Sequence, residues 1–151
     1  MAKPLVFMMG TSPAILPVDR LYTTNHMWAQ EAVGGWRFGF SSYAVRLLGE
    51  IHHVQWSVAP GGTVHGGQQI GFIEGSKATS DLYAPCSGTL VEANADVLAR
   101  PALINSNPYD RGWLLVVDTA AEFLSPQAYL AHLEACWPLA QRLLKGQARR
   151  S

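Results

Sequence analysis

Lysine is nearly missing from this chain of 151 residues: Lys3, Lys77 and Lys145 carry it, and arginine supplies the rest of the eleven basic positions. Cysteine is scarcer still. Cys86 and Cys136 show no C-x-x-C spacing and no paired framework, which excludes a disulfide scaffold read from sequence and suits a reducing compartment. Net charge is lacking too, since eleven acidic residues balance the eleven basic ones. No whole-chain field gathers polyanions, basic patches with interleaved aromatics are absent, and nucleic acid is not an expected partner. Long apolar runs are also wanting. The opening "MAKPLVFMMGTSPAILP" is broken by Pro4 and Gly10, so neither a signal core nor a membrane span is read there. A soluble, cytoplasmic chain with no membrane partner is expected. What is present, 48% hydrophobic against 15% charged residues, is enough for one packed domain.

Residues 1–16, with Pro4 and Pro13, a third proline just after them at Pro17 and no sustained period, read as a flexible leader, and residues 17–137 as the domain. Trp36, Phe38 and Phe40 alternate after Gly34-Gly35, predicting a first hairpin within "RLYTTNHMWAQEAVGGWRFGF". "SSYAVRLLGE" has a serine start, apolar spacing at Tyr43, Leu47 and Leu48, and Gly49 as a stop, the pattern of a short helix. "EIHHVQWSV", "IGFIEG", "SDLYAP", "GTLVEAN" and "WLLVVDT" are strand-like runs between turn residues, and Asn105 to Gly112 reads as a structural turn. In "SPQAYLAHLEACWPLAQRLLKG", Tyr129, Leu130, Leu133 and Trp137 share a helical face, and Pro138 should end or kink that helix, leaving residues 138–151 as a helix end and polar tail. A mainly β domain follows, a small sandwich or barrel with peripheral helices and a C-terminal helix.

Within the strands, Gly62-Thr63-Val64 recurs as Gly88-Thr89-Leu90, and Lys77 lies between the copies in "GFIEGSKATSDLYAPCSG". The lysine is thereby expected at a hairpin joining two similar half-sheets. Arginine would serve charge or solubility at such a tip equally well; an amine that can be acylated is a requirement that only lysine meets. Ser76 and Ala78 keep its flanks small.

The run "IEGSKATSDLYAPCSGTLVEAN" resembles the swinging-arm segment of the glycine cleavage system H protein family, itself similar to lipoyl and biotinyl carrier domains. The likeness extends from about Tyr22 to Tyr129, through "LYTTNHMW", "FGFSSYAVRLLGEI" and "RPALINSNPYDRGWLLVV". It implies a barrel-sandwich hybrid and a non-catalytic carrier, with lipoate attached to Lys77 by a lipoate ligase or lipoyl transferase. Glu74, Gly75, Ser76, Ala78 and Asp81 are then arm or ligase contacts, although Glu74 and Asp81 read equally well as solvated charges flanking a turn. The Met-Lys-Met surround of biotin carriers is missing, which favours lipoate. The implied partners are glycine decarboxylase, aminomethyltransferase and dihydrolipoamide dehydrogenase, among which the arm shuttles an aminomethyl group and reducing equivalents.

Three departures qualify that likeness. Where the family has His-Glu-Trp, this chain has His26-Met27-Trp28, so the acid that pairs with the ammonium of an aminomethylated arm is missing. Gly75 replaces a branched apolar residue and is expected to loosen the tip. The chain is also neutral where the family is acidic. An H-like lipoate-binding protein carrying sulfur intermediates in heterodisulfide-reductase-like sulfur oxidation is therefore the alternative, and an unmodified structural relative a third reading. His52 and His53 are strand neighbours expected to face opposite sides, so no metal site is read there. Cys86, after Pro85, is expected as a small half-buried residue rather than a redox partner of the arm.

Overall fold

The computed structural model describes residues 2–150, with side chains described through residue 142. Alternating burial starts at the beginning of the chain. In β1 (Leu5–Met9) and β2 (Ser12–Leu16), Phe7, Met9, Ala14 and Leu16 are buried while Val6, Met8 and Ile15 are exposed. The two strands pair from Leu5↔Leu16 to Met9↔Ser12 around a turn in which Gly10 takes φ +64°. The expected flexible leader is thus a packed hairpin over residues 5–16. Pro13, the one proline within the hairpin, does not prevent it, because a two-stranded sheet is all edge and Pro13 can sit where no ladder donor is needed.

The expected first hairpin follows as β3 (Leu21–Tyr22), β4 (Met27–Ala32) and β5 (Gly35–Phe40), with β4 and β5 joined through Val33 and Gly34. Helix α1 (Ser42–Leu48) begins where the Ser41 hydroxyl accepts from the Ala44 N–H and stops at Gly49, whose φ of +78° suits glycine. Then come β6 (Ile51–Trp56), β7 (Thr63–Val64), β8 (Gln69–Gly75), β9 (Thr79–Tyr83), β10 (Gly88–Ala93) and, after two unforeseen short helices α2 (Ala95–Ala99) and α3 (Leu103–Ser106), β11 (Leu115–Asp118). Helix α3 occupies part of the segment read as a turn, because "LINS" has too few residues to show a helical period.

Six strands form one sheet in the order β3-β4-β5-β11-β10-β7, and β6-β8-β9 form a second. Phe38, Leu90, Leu115 and Val117 of the first meet Val54, Ile70, Ile73 and Leu82 of the second in a shared core. This is the mainly β barrel-sandwich hybrid, with peripheral helices and a C-terminal helix. The look-alike triplets pair with each other, Gly88↔Val64 and Thr89↔Thr63, inside the larger sheet. The lysine hairpin therefore belongs to one sheet rather than joining two halves.

Helix α4 (Pro126–Arg150) runs through Pro138 without ending there. Pro138 and Glu134 are both exposed, so the carbonyl that loses its donor can be met by water. Before Pro138 the helix anchors a second core in which Tyr129 stacks on Tyr22 at 4.6 Å, and Phe7 meets Tyr43 and Trp137 edge-on. Of the expected helix end and polar tail, residues 138–151, the side chains beyond residue 142 lie outside the described residues.

Candidate functional site

Strands β8 and β9 pair through Phe72↔Asp81, Ile73↔Ser80 and Glu74↔Thr79, and the Gly75 N–H donates to the Ala78 carbonyl at 2.9 Å. Ser76 and Lys77 form the tip. Instead of projecting freely, this tip is seated on the turn between α1 and β6. The Lys77 N–H donates to the Leu48 carbonyl (3.0 Å), the Ser76 N–H to the Glu50 carbonyl (2.8 Å), and the Glu50 N–H to the Ser76 hydroxyl (3.0 Å). The seat needs two glycines. A Cβ on Gly75 would overlap the Leu48 carbonyl oxygen and lie 2.9 Å from its carbon, and one on Gly49 would meet the Ser76 hydroxyl and come within 2.9 Å of Lys77 Cγ. The expectation that Gly75 loosens the tip is thus reversed, since its missing side chain lets two backbones touch.

The Lys77 side chain remains exposed, and Nζ donates to the Arg46 carbonyl at 3.3 Å. That carbonyl is in the last turn of α1, where helix dipoles favour a cation. Two clefts flank the lysine. One, of about 310 Å³, is lined by Arg46, Gly49, Lys77, Asn105 and Pro108 among others. The other, of about 520 Å³, runs beside β9 from Ala78 to Tyr83 and is walled by His26, Met27, Phe40 and Leu48.

The larger cleft is predominantly uncharged. Met27 is buried at 1% exposure. His26, in the left-handed region at φ +71°, bonds through Nδ1 to the Tyr129 hydroxyl (3.0 Å), which in turn bonds to the Ser41 hydroxyl (2.7 Å). Burial, reinforced by His132, pushes the His26 imidazole down to about 4, so it is neutral near pH 7. Asp81 lines the same cleft, but its carboxylate accepts from Gln69 Nε2 (3.0 Å) and the Tyr83 hydroxyl (3.4 Å).

Of the residues singled out from sequence, Gly75, Ser76, Lys77 and Ala78 meet at the tip and Asp81 lies in the adjoining cleft. Glu74 is exposed, paired in register with His53 and Thr79, and lines neither cleft. Cys86 is buried, rather than half-buried, beyond the far end of β9, and burial raises its thiol above the ordinary value. His52 and His53 are both exposed, beside a register shift in β6. Sequence reasoning passed over Gly49 as part of the seat, Asn105 as its support and His26 as a wall of the cleft. For His26 a signal existed, since it opens the triplet that contains Met27.

A barrel-sandwich hybrid presenting one lysine on a seated hairpin between two clefts has the build of a carrier domain for a covalently attached arm. The family model for the glycine cleavage H-protein matches residues 20–136. A glycine cleavage system H protein of Mycolicibacterium vanbaalenii is 40% identical over 119 residues, covering 78% of this chain and 88% of the relative. One from Listeria monocytogenes is 42% identical over 107 residues, 71% of this chain and 85% of that protein. The crystal structure of a glycine cleavage system H protein from Mycobacterium marinum superposes with a TM-score of 0.68 at 36% identity, covering 80% of this chain and 98% of that one. The chain belongs to the glycine cleavage H-protein family.

Proposed function

We propose that this chain is a lipoyl carrier whose arm is attached through an amide to Lys77 Nζ. The observation that carries the reading is the seating of Lys77: an exposed amine on a backbone fixed by three hydrogen bonds, which a lipoate ligase or lipoyl transferase can approach without first ordering it. Attachment forms a C–N bond at Nζ, breaks the acyl bond of the activated lipoyl donor, and releases one proton from the amine.

The residues present fit the group. A cleft of about 520 Å³ with Met27, Phe40, Leu48 and Leu82 in its wall can hold an apolar arm, and Ala78 leaves its entrance beside Lys77 open. When bound, lipoate supplies a dithiolane for redox and group-transfer chemistry. The chain itself positions the arm, keeps water from it along the apolar wall, and presents a neutral His26 there. The protein is a carrier subunit, acting in the cytoplasm with glycine decarboxylase, aminomethyltransferase and dihydrolipoamide dehydrogenase as partners.

A second reading concerns the cargo. Met27 stands in the wall where an acid would pair with an aminomethyl ammonium, and Asp81 is held by Gln69 and Tyr83. This favours an uncharged or sulfur-bearing load and sulfur-oxidation partners. Treating the full chain and Lys77→Arg with a lipoate ligase, lipoate and ATP, then weighing both, tests attachment. Lipoyl mass on the wild type alone is expected, and equal uptake by the two proteins would sink the assignment. Reconstitution with the glycine cleavage enzymes then distinguishes the cargoes, because a sulfur carrier supports glycine turnover poorly.

A further inference from the structure

The seat for the lysine hairpin is a turn, Gly49 to Ile51, whose own conformation needs an explanation. Its glycine has φ +78°, and its partners in the hairpin are satisfied only if the Leu48 and Glu50 carbonyls point at the tip. One side chain holds both ends of this turn. Asn105 Oδ1 accepts from the Ile51 N–H at 2.8 Å, and Asn105 Nδ2 donates to the Gly49 carbonyl at 2.9 Å. Asn105 comes from α3, more than fifty residues away in sequence, and also lines the smaller cleft beside Lys77. A planar amide offers an acceptor and a donor side by side, so it spans a three-residue turn as neither an aspartate nor a hydrophobic residue can.

We propose that Asn105 is a positioning residue for the modification of Lys77. It does not touch the acyl donor. It fixes the Gly49–Ile51 turn, which fixes the Ser76 and Lys77 backbone and so presents Nζ to the modifying enzyme in one orientation. The inference rests on the lipoyl-carrier reading above. In the step it serves, Nζ attacks the carbonyl of a lipoyl adenylate, the C–N amide bond forms, the mixed-anhydride C–O bond breaks, AMP leaves, and the amine gives up one proton. No oxidant or reductant is involved.

The test compares wild type, Asn105→Ala and, as a control, Asn94→Ala. Asn94 makes a similar clamp elsewhere: its Nδ2 donates to the Arg111 and Trp113 carbonyls at 3.0 and 2.7 Å, and its side chain caps α2. Each full-length protein is assayed with a lipoate ligase, lipoate and ATP, separating KM for the carrier from kcat, and amide exchange is followed by NMR. Losing both Asn105 bonds should raise KM about five- to tenfold with kcat little changed, and should speed exchange at Ile51, Ser76 and Lys77 selectively. Asn94→Ala should lower the melting temperature at least as much while leaving KM and those amides alone. An unchanged KM in Asn105→Ala, or an equal rise in both variants, overturns the inference while the carrier reading stands. Failure of the wild type to take up lipoate removes the carrier reading, and the positioning role with it. Unaltered exchange at Ser76 and Lys77 in Asn105→Ala refutes the positioning role whatever the ligase does.

Discussion

Replacing Gly75 by valine restores the kind of residue that the family likeness leads one to expect, and two physical arguments give opposite signs for the result. If the glycine merely leaves the strand end loose, adding a side chain restricts the unfolded chain and stabilises the protein by about 0.5–1 kcal/mol. The geometry says otherwise. A Cβ there overlaps the Leu48 oxygen and lies 2.9 Å from the Leu48 carbon and 3.3 Å from the Ala78 oxygen, and these three nearest atoms are all backbone, with no flexible side-chain end to give way. The tip must lift off its seat, which breaks the bonds from Lys77 to Leu48, from Ser76 to Glu50 and from Glu50 to Ser76. At a net value near 1 kcal/mol each, reduced because the tip is exposed, the loss is about 2–3 kcal/mol. For a chain of this size that corresponds to a fall in melting temperature of roughly 4–12 °C. Because the clash begins at Cβ, Gly75→Ala should suffer nearly as much as Gly75→Val. Thermal and urea unfolding of the two variants, with ligase kinetics alongside, decides the matter. A stabilised alanine or valine variant, or either one lipoylated with wild-type KM, would refute the seated-tip account.

Lys77→Arg should fold with an unchanged melting temperature and take up no lipoate, read by intact mass. Phe7→Ala should lower stability by about 3 kcal/mol, because Phe7 packs edge-on against Tyr43 and Trp137; a loss under ~0.5 kcal/mol would return residues 5–16 to the status of a leader. His26 titrates lower in the fold, about 4, than its ordinary 6.5, so the unfolded chain binds more protons between those values. Its contribution, up to roughly 3 kcal/mol, is fully present above pH 6.5 and lost as the pH falls toward 4; His26→Asn, which tolerates the positive φ, should flatten that slope in unfolding measured across the window. Met27→Glu should lengthen the life of an aminomethyl adduct about fivefold in the reconstituted glycine cleavage system, equivalent to roughly 1 kcal/mol of ion pairing net of the cost of burying the carboxylate in the cleft wall. A wild type already matching an ordinary H protein in rate and lifetime would remove the main support for the sulfur cargo.

The features legible in the sequence were those carried by local chemistry. Ser41 and Gly49 bracket α1 as expected, the alternation at Trp36, Phe38 and Phe40 forms β5, and the small residues around Lys77 make its turn. The features missed depend on partners distant in the chain. The alternation that buries Phe7, Met9, Ala14 and Leu16 gains its meaning only when α1 and α4 supply the surface those side chains cover. Gly75 reads as flexibility until the Leu48 carbonyl arrives 27 positions earlier in sequence, and Asn105 reads as a turn former until its two amide atoms are seen to bridge Gly49 and Ile51. Pro138 misleads for the complementary reason, since it and Glu134 are exposed and water can meet the carbonyl that loses its donor.

The division of hydrogen bonds at the tip would let a lysine that carries an arm be both rigidly presented and mobile once loaded. The three bonds that seat the hairpin use the backbone of Ser76, Lys77 and Glu50 and the Ser76 hydroxyl; none involves Nζ. Among the described residues, the amine donates to the Arg46 carbonyl in an exposed contact and makes no other hydrogen bond. As an ammonium it gains there both a hydrogen bond and the attraction of the last turn of α1, worth about 0.3–1 kcal/mol. Acylation would remove the charge and leave a single N–H, so that attraction would fall away while the backbone seat stayed untouched. On the carrier reading proposed above, the tip that a modifying enzyme recognises would therefore stay in place, and the modified side chain would be free to leave the Arg46 side of the ridge for the apolar cleft along β9.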